Sequence, residues 1–186
     1  ADQKHARFKD ERSDFVALLN LWRDFHHEKQ HRSRAKLRQY CRDSFLSFVR
    51  MSEWQDVHSQ IMEVIKGDLG FKMNEGPADY PEIHRALLSG LLTNVALKQE
   101  QNDYLGARGV RLHIHPGSYL FKVKPKWIIS QEQIETTKVY GRTVAAIEPE
   151  WIEAIGAHLI KSHYYDPHWE RKSGRVAVHE RTQLFS

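Results

Sequence analysis

The run Lys138-Val139-Tyr140-Gly141-Arg142 holds the residue types in this chain best suited to chemistry. Side chains alternate along an extended strand, so Lys138, Tyr140 and Arg142 share one face at about 6.6 Å intervals. The order on that face is cation, aromatic, cation. Single-stranded nucleic acid has the matching needs, phosphates to neutralise and base faces to stack on. Thr136 and Thr137, immediately before, add hydroxyls suited to phosphate oxygens. Val144 and Ala146 continue the same period, so part of this face must be buried. Tyr140 therefore reads equally as a stacking platform or as a ring at the edge of the core.

Other chemistry is less well provided for. The chain has 12 histidines, which raises the question of metal. His113 and His115 lie two apart on a predicted strand, and His26, His27 and His31 cluster near a helix end. Zinc needs three or four ligands converging from several elements. No carboxylate or third histidine is spaced to join the strand pair, so surface or hydrogen-bonding histidines are expected and no metal site. There is no G-x-x-x-x-G-K-[ST] phosphate loop, no G-x-G-x-x-G, no G-x-S-x-G elbow and no H-E-x-x-H helix. Cys41 is the single cysteine, which excludes a disulfide framework and any C-x-x-C knuckle. No catalytic residue and no cofactor are expected in this chain, and binding is what remains.

The elements that must position these residues fall into two halves. From Asp14, the apolar positions Phe15, Leu18, Leu19, Trp22 and Phe25 recur every three or four residues, and Ser13 or Asp14 can cap that helix. A second helical stretch holds Leu37, Tyr40 and Cys41 and continues to Val49. Ser52 with Gln55 has capping-box spacing, so a further helix is expected from there to Gly67 or Gly70. Residues 71–80, with Gly76 and Pro77, read as a linker. Pro81 opens another helix, expected to run to about Lys98 with something packed closely on Gly90. After residue 103 the period switches from 3.6 to 2. Val110, Leu112 and Ile114 alternate with polar residues, and Trp127–Ile134 and Thr136–Ile147 follow as longer strand runs. A short helix is expected over Glu150–Ile160, broken at Tyr165–Pro167, with Lys172-Ser173-Gly174-Arg175 as a hairpin turn into Val176–Leu184. The fold class expected is α+β, an N-terminal helical bundle followed by a small antiparallel OB-like β-barrel with an embedded helix. The divisions are 1–80, 81–165 with its leading helix, and a hairpin over 166–186.

Composition agrees with a folded chain of one large or two small domains. Its 186 residues are 40% hydrophobic and 28% charged. The apolar run Ala86–Leu97 is too short to span a bilayer, so no membrane partner is expected, and a reducing cytoplasm follows from the cysteine count. The net charge of +4 is unevenly spread: residues 1–50 hold 12 Lys/Arg against 7 Asp/Glu, and residues 51–100 hold 4 against 8. Lys29–Arg42 and Tyr104–Gln131 contain cations and no acid. Segregated positive charge attracts polyanions, nucleic acid foremost.

Six blocks of the chain resemble the C-terminal part of a DEAH-box RNA helicase, in particular the bacterial HrpA-like branch. SDFVALLNLW (13–22), YCRDSFLSFVR (40–50) and WQDVHSQI (54–61) resemble its helicase-associated, ratchet-like helical module. EIHRALLSGLLTNVA (82–96), IHPGS (114–118) and KWIISQEQIETTKVYGRTVAAIEPEWI (126–152) resemble the OB-fold module that follows. The resemblance implies an accessory RNA-binding region that closes a single-stranded RNA channel during 3′-to-5′ translocation. Its RecA-like ATPase lobes, with ATP and magnesium, would lie upstream in the same chain, which here begins with Ala1. It also implies that Thr136, Thr137, Lys138, Tyr140 and Arg142, with His115 and Ser118 in the turn block, contact the nucleic acid. Asn20 and Gln60 match polar positions of the helical module. His58, Val49 and Gly117 depart from the pattern of many eukaryotic members. The alternative is a docking platform for a protein or the ribosome without direct grip on RNA.

Overall fold

A computed structural model describes residues 2–172 and 174–184; Ser173 of the predicted hairpin turn lies outside them. The chain divides into two compact units, residues 1–79 and 80–186.

The first unit is helical: α1 (Asp2–His5), α2 (Asp14–His31), α3 (Arg34–Asp43) and α4 (Phe48–Glu63). Ser13, Ser33 and Ser47 cap the last three, each hydroxyl accepting a backbone N–H two or three residues into the helix. The Ser52 helix start is therefore corrected. Ser52 lies inside α4 and its hydroxyl donates to the Phe48 carbonyl at 2.9 Å, because Ser47 already caps the helix and the left-handed Phe45 (φ 55°) ends the one before. A π-turn over Val64–Asp68 closes α4 before Gly70, which is left-handed at φ 64°. Phe25, Leu37, Tyr40, Cys41 and Met51 form the core, and burial pushes the Cys41 thiol up, away from reactivity.

Tyr40 also holds a polar link. Its hydroxyl bonds the Asp24 carboxylate, and Arg7 bonds both partners, 3.1 Å from Asp24. Burial first, then the Asp24 bond, pushes the Tyr40 pKa up to about 12. A raised folded pKa means the neutral phenol is favoured, so its contribution is complete below pH 10 and lost as pH rises through 12. A loss of up to about 2–3 kcal/mol is expected over that window. Urea midpoints measured from pH 9 upward check this, with a Tyr40→Phe variant giving the flatter curve.

The second unit is a closed barrel with strand order β1-β2-β3-β5-β4, where β1 is Val95–Lys98, β2 Tyr104–Gly106, β3 Arg111–Ile114, β4 Trp127–Glu135 and β5 Val139–Ala146. All pairings are antiparallel except β3 with β5, which run parallel in register His113–Tyr140 and Ile114–Gly141. Helix α5 (Tyr80–Leu91) precedes the barrel and is tied to it by the Tyr80 hydroxyl, which donates to the Ala146 carbonyl at 2.8 Å. Helix α6 (Pro149–Ile155) follows, with Trp151 and Ile152 buried.

Four expectations are corrected here. The α5 helix stops at Leu91 and not Lys98. Asn94 donates to the Ser130 and Gln131 carbonyls, both at 3.1 Å, and fastens a tight turn to β4, so Val95 and Ala96 enter the barrel between β2 and β4. Nothing lies within 4 Å of a Cβ built on Gly90, so the close packing predicted there is absent; the glycine sits one residue from the helix end. The α6 helix ends at Ile155 because Gly156 and a tight turn over Ala157–Leu159 redirect the chain. Strand β6 (Ile160–Glu170) then runs straight through Tyr165–Pro167 and pairs with β7 (Arg175–Leu184). The hairpin thus begins at Ile160 and not at residue 166, since a bulge absorbs the predicted break.

Candidate nucleic-acid interface

Thr136, Thr137 and Lys138 form the β4–β5 turn and not the first residues of a strand, a further correction. The Thr136 N–H donates to the Lys138 carbonyl at 3.0 Å, and its hydroxyl reaches the same oxygen at 3.4 Å. Local closure of a tight hairpin outweighs the β-propensity of threonine. All three side chains are exposed at the tip.

The pleat of β5 changes phase at Thr143, whose backbone is left-handed at φ 50°. Before it, Val139 packs on the barrel core, and a Cβ on Gly141 would lie 3.1 Å from Leu112 and from Ser130 inside the barrel. After it, Val144 and Ala146 are the core-facing residues. Tyr140 and Arg142 therefore do not share a face with Val144 and Ala146, and the objection raised by strict alternation disappears. Ordinary period-2 reasoning fails across this one residue because a positive φ resets which side the next side chain takes. Lys138 and Arg142 are both open to solvent.

Tyr140 is half-buried and has two imidazoles beside it, one from β3 and one from the residue that follows it. The His113 ring is 6.1 Å away across the parallel pair, and the His115 ring stands edge-on at 6.0 Å. The His115 main chain is fixed by its N–H, which donates to the Gly141 carbonyl at 3.0 Å. Its Nδ1 accepts the Gly117 N–H at 3.0 Å, which leaves the Nε2 side of the neutral ring as a donor. A Cβ on residue 117 would meet that ring at 3.1 Å, so glycine suits this turn. The Ser118 hydroxyl accepts from the Leu120 N–H at 3.1 Å and caps the next turn. Arg142 is half-exposed and lies 3.4 Å from Glu132, directly opposite on β4, so its charge is partly offset.

His113 also lines a cleft of about 240 Å³ with Asn102, Tyr104, Phe121 and Lys124. The face thus continues from the β4–β5 turn across β3 to the β1–β2 loop, the strip on which barrels of this kind bind oligonucleotides. His113, Glu132, Asn102 and Lys124 were not singled out as nucleic-acid contacts from the sequence. Only the pairing of β3 with β5, 27 residues apart in the His113–Tyr140 register, brings the first of them to Tyr140. The helical-module candidates lie in the other unit. The Asn20 side-chain amide donates to the Phe8 carbonyl at 3.2 Å, holding the N-terminal segment to α2. Gln60 is exposed on α4, and the His58 ring lies 4.9 Å from that of Trp22.

The closed five-stranded barrel is consistent with an OB fold, and residues 83–160 match the family described as oligonucleotide/oligosaccharide-binding (OB)-fold. More narrowly, the chain is similar over its full length to the C-terminal portion of HrpA-like DEAH-box RNA helicases. It is 44% identical over 186 residues to the ATP-dependent RNA helicase HrpA of Escherichia coli (strain K12), and likewise 44% to the HrpA homolog of Haemophilus influenzae. It is 30% identical over 179 residues, 95% of the chain, to the probable ATP-dependent RNA helicase DHX35 of Homo sapiens. The chain spans 14% of the length of each of the first two relatives and 24% of the third. Among the described residues no helix is long and apolar enough to cross a membrane.

Proposed function

We propose that this chain is the accessory RNA-binding region of an ATP-dependent RNA helicase, gripping single-stranded RNA on the outer face of its barrel. The observation that carries this reading is Tyr140, about 6 Å from both the His113 and His115 rings, with Lys138 and Arg142 exposed two residues before and after it. A ring of that kind stacks a base, the two cations neutralise flanking phosphates, and the turn hydroxyls of Thr136 and Thr137 donate to phosphate oxygens. His115 and Ser118 extend the contact along the turn after β3. Asn20 and Gln60 would add contacts from the helical module as the RNA channel closes against ATPase lobes in polypeptide beyond this chain. ATP and magnesium act on those lobes, which also supply the 3′-to-5′ movement.

Fluorescence anisotropy with a labelled single-stranded RNA tests the grip. With about three phosphates neutralised, log K is expected to fall against log salt with a slope near −2. Replacing both Lys138 and Arg142 with Ala should flatten that slope by about 1.4, whereas Glu132→Gln should tighten binding by releasing Arg142. An unchanged slope places the RNA elsewhere. Undetectable RNA binding with retained capture of a protein or ribosomal partner supports the platform reading instead.

A further inference from the structure

The β6–β7 hairpin gathers three metal-ligating side chains that the RNA-binding face does not use: Asp166, His168 and His179. We propose that these form a site for a borderline divalent transition metal of the zinc type, with two imidazoles and one carboxylate as ligands. The register of the hairpin is what assembles them. Tyr165 pairs with His179, yet three residues further along His168 pairs with Ala177, so β6 carries one residue more than β7. In an unbroken ladder residues 165 and 168 face opposite sides. The extra residue turns His168 onto the face that Ala177 and His179 share, the re-aiming for which bulges are used. Asp166 sits in the bulge with φ 54°, a left-handed conformation that aspartate tolerates better than most residues.

The donor atoms of all three lie within 4.8 Å of one another, with His179 Nε2 3.9 Å from the Asp166 carboxylate. The two imidazole rings are 5.1 Å apart. Ligand bonds near 2.1 Å put tetrahedral neighbours about 3.4 Å apart, so closing on the ion needs about 1 Å of rotamer movement from exposed side chains. A second observation concerns the proton on His168. Its Nδ1 donates to the Asp166 backbone carbonyl at 3.0 Å, which leaves Nε2 as the ring nitrogen with a lone pair. Ligating histidines are oriented in this way, the other ring nitrogen tied to a carbonyl or carboxylate. Imidazole donors select zinc-like ions over magnesium and calcium, and three protein ligands leave a position open to water or to a group from a partner. Linking β6 to β7 across the bulge, the metal would clip a hairpin whose Tyr164, Trp169 and Val176 side chains are largely exposed.

Isothermal titration of the 186-residue chain with Zn²⁺ alone, with Mg²⁺ as the contrasting ion, tests the site. One Zn²⁺ per chain and no Mg²⁺ uptake are expected. His168→Ala and His179→Ala should each weaken Zn²⁺ about tenfold or more. His163→Ala, on the same hairpin but outside the set, should leave it unchanged and reports whether the hairpin is intact. Amide exchange gives an independent readout, with Zn²⁺ slowing exchange in β6 and β7 and leaving β1–β5 as they were. Absence of Zn²⁺ binding, or binding that survives both histidine variants, overturns the proposal. Equal loss in His163→Ala does so too, because the effect is then not specific to the set.

Discussion

Tyr104→Ala is expected to cost the barrel about 3–5 kcal/mol, the range for removing a large aromatic side chain from a packed core. Tyr104 is wholly buried in the barrel core with Leu112 and Ile114 of β3 and Leu120 of the turn that follows it. Its hydroxyl donates to the Pro125 carbonyl at 2.7 Å, tying β2 to the segment that leads into β4, and burial pushes its pKa up. The Tyr104→Phe variant separates the two roles. It keeps the ring and strands one carbonyl, for an expected loss of about 1 kcal/mol. Urea unfolding of wild type and both variants, with amide exchange in β1–β5 as the local probe, reads the difference. Equal losses in the two variants would mean that the hydrogen bond, and not the ring, sustains the barrel.

Tyr140→Ala is expected to weaken single-stranded RNA binding about 5- to 150-fold, the equivalent of about 1–3 kcal/mol for one stacked base. The salt slope should stay near its wild-type value, because the ring carries no charge and displaces no counterions. Tyr140→Phe retains the stacking surface and should bind close to wild type. That pattern differs from the one expected of Lys138 and Arg142, whose loss moves the slope. The half-buried position of Tyr140 against His113 and His115 also gives the ring a fixed orientation before ligand arrives, which reduces the ordering cost on binding. Anisotropy titrations at several salt concentrations check both parts. Wild-type affinity in Tyr140→Ala at intact stability would show that the ring is packing and nothing more.

The two halves of the fold were legible because each rests on a local pattern. Ser13 caps α2 as residue order predicts, and Phe25 of the predicted apolar stripe enters the helical core, but the buried face of the helix runs through Asp14, Ala17 and Phe25 and leaves Leu18 exposed. The switch to period 2 beyond residue 103 announced the strands of the barrel, since Leu112 and Ile114 both turn into its core. Element boundaries were less legible, and for a common reason. Val95 and Ala96 have helical periodicity in the sequence, but they become strand because β2 and β4 wait on either side with unpaired backbone. Ser52 has the spacing of a cap and is not one, because Ser47 stands where the chain actually enters the helix. Capping and propensity are small local terms, and pairing across the sheet outweighs them.

The candidate site divides along the same line. That Lys138, Tyr140 and Arg142 stand two apart, and that no phosphate loop or nucleophile elbow accompanies them, is a property of residue order alone. Covalent spacing and side-chain type suffice for both. The company they keep was decided by the tertiary structure: the left-handed turn at Thr143 that separates Tyr140 from the core, the His113 ring carried in on a parallel neighbour, and the Glu132 carboxylate set against Arg142. So was the meeting of Asp166 and His168 with His179, which one surplus residue in β6 brings about. These arrangements depend on strand register and on a single backbone dihedral, and both are settled only when segments far apart in the chain pack together.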